Sequence, residues 1–566
     1  MLSLVAIVAF FTLANIARAA FSGKTSLPIE APASQKRGAV SSLDARCSMI
    51  GTGVLQKGGN TADATVATQF CLGVVGMHLT GIGGGGFALV RAPNGTYEFV
   101  DFRESAPAAS FENMYDKDVN ASILGGLSSG VPGEVRGLSY IHARYGSLCW
   151  KDLIIPSIKL AREGFTLGVD VAYYMDTLGN DALFLKPAWA PDFAPHGKRL
   201  KAGEKMSRQR YARALQEIAD KGAEAFYTGS IAKTMVASLR SSDGIMTLED
   251  MKDYEVISRV PRSISYRGFS VTSGGAPSGG IVALKILKTL EGYKDAGTPS
   301  QFNITTHRLD EAIRFAYGAR TKLGDPSFVN NMESYQDVMI AENTAEQTRQ
   351  EVLDERTQPV KAYNPDGIES LETPGTSHVS VADASGMAIS LTSTVNLLFG
   401  SQVMVNETGI IMNNEMNDFS IPNSTNAFGF IASPANYIQP RKRPLSSITP
   451  VIIEDTSTGA LYVVIGAAGG SRIITSTVLG IWNILDRHMN VTEAIRTPRF
   501  HEQLIPNEMM FEHAFDNLTI DYLRIKGHHI GWLDHGSDLQ IIRRLPNGTF
   551  EAASEIRQHD SGGFAV

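Results

Sequence analysis

The sequence predicts an α/β fold, and three patterns along its 566 residues carry that expectation. Between Val40 and Leu79, apolar residues recur at helical spacing at Ala62, Val66, Ala67, Phe70, Val74 and Val75. Phe87–Arg91 and Tyr97–Asp101 then read as two strands around the turn Asn94-Gly95. From Thr376 onward the chain is strand-rich, after a middle region, Ser128 to Ile340, whose patterns are mainly helical.

The first element is a leader. Leu2 to Ile16 is nearly all apolar, and Ala17-Arg18-Ala19 places small residues where a signal peptidase reads them, so residues 1–19 are expected to be removed. Eight Asn-x-Ser/Thr sequons (Asn94, Asn120, Asn303, Asn406, Asn423, Asn490, Asn517 and Asn547) fit a secretory route, to the exterior or to a vacuole, as glycosylation candidates. No further apolar run reaches membrane-spanning length. Three cysteines exclude a disulfide scaffold. Cys47 and Cys71 bracket a helical region and can pair in an oxidising compartment, which leaves Cys149 as a buried, inert thiol. A hydrophobic fraction of 43% and a formal charge of −7 describe a globular protein with no basic surplus for nucleic acid.

The middle region breaks at Gly130-Val-Pro-Gly133 and at Gly274-Gly-Ala-Pro-Ser-Gly-Gly280. Glu342 to Pro374 is polar, has prolines at 359 and 365 and an Asp366-Gly367 turn, and reads as a surface loop, a tether ahead of a cleavage point. Beyond it, Thr376, His378 and Ser380 alternate with Ser377, Val379 and Val381, and Asp383-Ala-Ser-Gly386 closes a hairpin between Ser377–Ala382 and Met387–Val395. Leu461–Ile465 is a strand leading into the turn Gly466-Ala-Ala-Gly-Gly470 and then a helix from Ser471 to about Leu485.

Five segments stand in a fixed order: Pro374-Gly375-Thr376-Ser377-His378, Thr392-Ser393-Thr394-Val395-Asn396, Asn413-Asn414-Glu415-Met416-Asn417-Asp418, Arg443-Pro444-Leu445-Ser446-Ser447, and Gly466-Ala467-Ala468-Gly469-Gly470. Together they resemble the γ-glutamyltranspeptidase family, and the resemblance runs from about Val40 to Asp560-Ser-Gly-Gly563. It implies an N-terminal-nucleophile hydrolase, an α/β fold built as an αββα sandwich. One precursor would be self-cleaved at Gly375–Thr376 into intertwined subunits, residues 20–375 and 376–566. The implied activity is γ-glutamyltransferase and glutathione hydrolase. Its partners would be glutathione and other γ-glutamyl compounds, with amino acids or dipeptides as acceptors, and it would need no cofactor.

The chemistry explains why such a cut matters. A threonine hydroxyl needs a base, and an N-terminal α-amine, with a pKa of about 7.7–8.0, supplies one that an amide cannot. Gly375 tolerates the backbone geometry of an acyl shift. By resemblance, Thr394 orients the Thr376 hydroxyl, and the amides of Gly469 and Gly470 form the oxyanion hole. Arg103 in Phe102-Arg103-Glu104-Ser105 matches the family's carboxylate-binding arginine, shared with Ser446 and Ser447. Glu415, Asp418 and Asn396 would hold the ammonium, and Asn417 departs from the family's more usual aspartate. Retention of Arg103 and Asp418 argues against a related amidase for β-lactam side chains. Thr376, Thr394 and the glycine pair argue against a non-catalytic protein on this fold.

Two further patterns are set aside. Gly81-Ile-Gly83-Gly-Gly-Gly86 satisfies a dinucleotide motif, but a helix precedes it and a strand follows, the reverse of what that site requires. His528, His529 and His535 show no ligand spacing with a carboxylate, so no metal is expected.

Overall fold

A computed structural model describes residues 37–363, 375–422, 432–534 and 536–566. The leader at 1–19, Pro365, Asp366-Gly367, Asn423 and His535 lie outside the described residues. Strand β1 (Gly38–Ser42) leads into helices α1 (Ala45–Gln56) and α2 (Thr61–Val75). Helix α2 starts on a reciprocal cap, in which Asn60 takes the Asp63 amide and Asp63 takes that of Asn60. Next come the paired β2 (Gly85–Arg91) and β3 (Tyr97–Phe102), as the Asn94-Gly95 turn predicts, and α3 (Glu134–Tyr145). Past further helices, Trp150–Glu163 and Gln209–Lys221 the longest of them, stand β4 (Ile257–Arg259), β5 (Arg262–Tyr266) and β6 (Phe269–Ser273). Helices α4 (Gly280–Glu291), α5 (Phe302–Arg320) and α6 (Glu342–Glu351) follow. The C-terminal part carries β7 (Gly375–Asp383), β8 (Ala388–Asn396), β9 (Val451–Asp455), β10 (Leu461–Ala468), α7 (Arg472–Leu485), β11 (Asp538–Arg544), β12 (Phe550–Ser554) and β13 (Gly562–Ala565).

Two sheets form the inner layers. The seven-stranded one runs β13-β1-β7-β8-β2-β3-β4, and the six-stranded one runs β12-β11-β10-β9-β6-β5. On one side, Val66 and Phe70 of α2 share a core with Val379, Val381 and Leu391 of the larger sheet. On the other, Phe87 and Leu89 share a core with Val463, Ile465 and Ile541 of the smaller sheet, continued by Ile281, Ile313 and Val478 of α4, α5 and α7. This is the αββα order. It explains why β7 and β8 are buried along their whole length, with both faces covered.

Several expectations are corrected. The middle region is mainly helical as read, but it also contains β4–β6, short strands that complete both sheets. Glu342–Glu351, read as loop, is helical because Arg349 pairs with Glu342 and Glu346 while Ala345 and Thr348 pack inward. Cys149 is exposed rather than buried, at the residue before the helix Trp150–Glu163. Gly466 to Ala468 belong to β10, so the turn before α7 is only Gly469–Ser471. Cys47 on α1 and Cys71 on α2 are bonded, joining two helices rather than closing one.

Candidate active site

The hairpin β7–β8 sets the geometry. Its register puts Thr394 opposite Thr376, and a bulge between Thr394 and Asn396 then brings Asn396 opposite Gly375. Asn396 adopts a positive φ of 75° at this bulge. Gly375 fits only because it lacks a side chain, since a Cβ there would stand 2.3 Å from the Asn396 carbonyl oxygen. With Gly375 joined to Thr376, the Thr394 hydroxyl donates a short hydrogen bond to the Gly375 carbonyl while accepting one from the Asn396 amide at 2.7 Å. Its partner is thus the carbonyl preceding the nucleophile rather than the Thr376 hydroxyl.

The glycine run supports this hairpin from beneath. A Cβ on Gly84 would meet the Thr394 carbonyl oxygen at 2.0 Å, and one on Gly83 would meet that of Ile411 at 2.1 Å. Asn413 ties the run to the next segment, its side chain donating to the carbonyls of Gly83 and Gly130 and accepting from the Glu415 amide at 3.0 Å. The run is a close-packing turn between backbones.

Arg103 is fully buried and ion-paired with both Glu415 and Asp418. Burial opposes its charge, but Glu415, Asp418 and Glu104 outweigh that and hold its pKa above the ordinary value. The same burial drives Glu415 and Glu104 upward against the pull of Arg103. With three carboxyl groups facing one guanidinium, a second cation in the pocket would favour their ionised forms. Glu104, the residue after Arg103, is fully buried as well, and both its oxygens lack hydrogen-bond donors among the described residues.

Asn396 donates to the Asn414 carbonyl at 3.0 Å and leaves its own Oδ1 as a buried acceptor without a donor among the described residues. The Ser446 hydroxyl accepts from the Ile448 amide at 3.1 Å, and that of Ser447 accepts from Arg320 at 3.3 Å. Asn417 turns away and donates to Ser122. Gly469 and Gly470 have φ of 121° and 64°, values that favour glycine, and no described backbone acceptor takes either amide. Arg103, Thr376, Thr394, Asn396, Glu415, Asp418, Ser446, Ser447 and Gly470 all line one cavity of about 10 Å³, and Gly469, the residue before Gly470, is not among its lining.

Sequence reasoning missed a second buried cluster. His528 meets His307, their facing ring nitrogens hydrogen-bonded at 2.8 Å, and Asp310 lies 3.0 Å from the other nitrogen of His528. Glu311 joins them from the same helix, with ligand-type atoms of His307, Glu311 and His528 all within 4.8 Å. The carboxylate spacing absent around His528 is therefore supplied by α5, more than two hundred residues earlier. His307 also bonds the Leu353 carbonyl and Glu311 accepts from Tyr363, so the cluster grips the chain that leads toward Thr376.

A threonine at the head of a strand in an αββα sandwich, a glycine turn before a helix and an Arg–carboxylate pocket define an N-terminal-nucleophile hydrolase. The family model for γ-glutamyltranspeptidase matches residues 47–565, and the chain belongs to that family. A glutathione hydrolase proenzyme of Arthroderma benhamiae is 51% identical over 542 residues, covering 94% of this chain and 93% of that protein. A glutathione hydrolase of Aspergillus flavus is 47% identical, covering 94% and 89%. Among solved structures, the cephalosporin acylase from Bacillus halodurans superposes with a TM-score of 0.83 at 25% identity, covering 96% of this chain and 99% of that one. The γ-glutamyltranspeptidase of Helicobacter pylori gives 0.53 at 31% identity, covering 61% and 97%.

Proposed function

We propose that this protein is a secreted or vacuolar proenzyme that cuts itself between Gly375 and Thr376 and then works as a γ-glutamyltransferase and glutathione hydrolase. The observation that carries this reading is the convergence on one cavity of Thr376, Thr394, the glycine turn and the Arg103 cluster. In maturation, the Thr376 hydroxyl oxygen attacks the Gly375 carbonyl carbon, and the C–N bond breaks as the nitrogen takes up the proton. Water then opens the ester, leaving a Gly375 carboxylate and a free Thr376 amine. The Thr394 hydroxyl, already on that carbonyl, polarises it for attack.

In the mature enzyme the new amine takes the Thr376 hydroxyl proton as the oxygen attacks the γ-carbonyl of the donor. The amides of Gly469 and Gly470, at the start of α7, receive the developing oxyanion. Collapse expels the donor's amine, which leaves with the proton and a γ-glutamyl ester on Thr376. Water, or the amine of an amino acid or dipeptide, then takes the acyl group and restores the hydroxyl. Arg103, Ser446 and Ser447 receive the donor's α-carboxylate, while Asp418, Glu415 and the free Asn396 Oδ1 receive its ammonium. That charge pattern supports a γ-glutamyl donor over an acyl group, such as a β-lactam side chain, that lacks the amino-acid end. The uncut cavity holds no more than about one water, so release of the Gly375 end is what admits the donor.

Residues 20–375 and 376–566 are the two subunits of this reading. No helix among the described residues is long and apolar enough to cross a membrane. The test is incubation of purified protein with glutathione, with and without an acceptor dipeptide, alongside Thr376→Ala. Wild type is expected as two chains, the smaller beginning at Thr376, releasing glutamate or γ-glutamyl-dipeptide. Thr376→Ala is expected as one inactive chain, and normal maturation of that variant defeats the intramolecular mechanism.

A further inference from the structure

The long helix α5 ends in two buried polar side chains that the chemistry above does not use. Tyr317 and Arg320 stand three residues apart and so share a face at the helix's last turn. The Tyr317 hydroxyl donates to the Ser471 carbonyl at 2.8 Å. An Arg320 Nη2–H donates to the Ser447 hydroxyl oxygen at 3.3 Å. Ser471 directly follows the two glycines, and Ser447 is one of the two serines assigned to the donor's carboxylate. One helix end thus touches both turns that flank the cavity.

We propose that Tyr317 and Arg320 are positioning residues for the two halves of the site, Tyr317 for the oxyanion turn and Arg320 for the carboxylate-binding serine. This rests on the functional reading above. The glycine pair gives the turn the backbone freedom its φ values need, and that freedom has to be removed if two amides are to converge on one oxygen. Ser471 is the N-cap of α7 yet makes no side-chain capping bond, and within the turn only the Gly469 and Gly470 carbonyls are held, by the Arg472 and Ile473 amides at 3.4 and 3.1 Å. The Tyr317 hydroxyl holds it from outside.

Tyr317 is a rigid post for this purpose. Its ring is buried and lies edge-on to His501, 6.5 Å between centroids. The next residue, Gly318, lets the Tyr363 backbone press against the helix, since a Cβ there would meet the Tyr363 carbonyl oxygen at 2.1 Å. Arg320 acts differently: its hydrogen bond leaves the Ser447 oxygen with its own proton free to give to a carboxylate, and its charge favours an anion nearby.

The two roles predict opposite kinetic signatures. Mature Tyr317→Phe and Arg320→Gln enzymes are compared with wild type on a chromogenic γ-glutamyl anilide, with active sites counted by acylation burst so that partial maturation does not count. Tyr317→Phe should lower kcat about ten- to hundredfold with KM within about twofold, since a misplaced donor is felt in the transition state. Arg320→Gln should raise KM about tenfold with kcat within about twofold. Arg320→Lys should recover part of that loss, and the KM effect should vanish on an anilide lacking the α-carboxylate. Thermal unfolding of each variant gives the structural baseline. The inference is overturned if Tyr317→Phe keeps wild-type kcat or never matures, if both variants move the same parameter, or if the Arg320→Gln loss persists on the truncated donor. An inactive wild type would instead sink the functional reading.

Discussion

Arg103 brings a single positive charge into a pocket with two buried carboxyl groups, Glu104 and Glu415, and a partly buried one, Asp418, and its removal should be read through substrate chemistry rather than stability alone. Truncating one side of a desolvated charge contact costs about 2–5 kcal/mol. That corresponds to roughly thirty- to several-thousand-fold in kcat/KM. Arg103→Ala should therefore cripple γ-glutamyl turnover while cleavage at Gly375–Thr376 proceeds, because maturation uses only local groups. The loss should be much smaller on a donor lacking the α-carboxylate, and an equal loss on both would place Arg103 in the scaffold. Glu134 gives a second test at this scale. Burial raises its pKa to about 8, offset in part by hydrogen bonds from Ser393 and Gln69. An acid whose pKa is raised on folding holds its proton more tightly in the native state. Its favourable contribution is complete below about pH 4.5 and drains away as pH climbs toward 8. In a Thr376→Ala background, Glu134→Gln should thus raise the melting temperature near pH 8.5, and the gain should shrink toward pH 5. A pH-independent difference would mean that the proton is not linked to folding.

The two sheets meet most closely where β7 crosses β10. The His378 ring bonds Thr392 at 2.7 Å and Ser380 at 3.0 Å, and a Cβ on Gly466 would stand 2.2 Å from its Cε1 atom. Gly466→Ala should cost about 1–3 kcal/mol by overpacking and slow maturation. Combining it with His378→Ala should cost less than the two single changes added together, a coupling that a double-mutant cycle on denaturant unfolding measures. The hairpin that carries Thr376 was legible because its alternation, its Asp383–Gly386 turn and its register all follow from local chemistry. Strands β4–β6 were not, since three to five residues of mixed polarity such as Arg262-Ser-Ile-Ser-Tyr266 become strands only by pairing, β4 with β3, β5 with β6 and β6 with β9. Helix α6 hid for a related reason: its inward face is only Ala345 and Thr348, and ion pairs do what apolar periodicity usually signals. The motifs named the pocket's residues, but the pairing of Arg103 with Asp418 spans 315 positions and no spacing rule reaches that far.

At the scale of the whole molecule, both sheets interleave strands from before and after Gly375. In the larger sheet, β1 is hydrogen-bonded between β13 and β7, and in the smaller one β9 pairs with β6. A break at Gly375–Thr376 leaves every one of these ladders in place, so the mature chains should stay together at nanomolar dilution and in high salt. Full denaturation separates the cases. Uncut Thr376→Ala protein should refold on dilution at a rate independent of concentration, whereas the cut enzyme should regain activity poorly and faster at higher concentration; equal, concentration-independent recovery would mean that the halves fold alone. The interleaving therefore gives the cut a direction in time. The intact chain carries the full instructions for its shape, and the cut pair carries only the memory of having once been a single thread, kept for as long as the barrier to unfolding lasts.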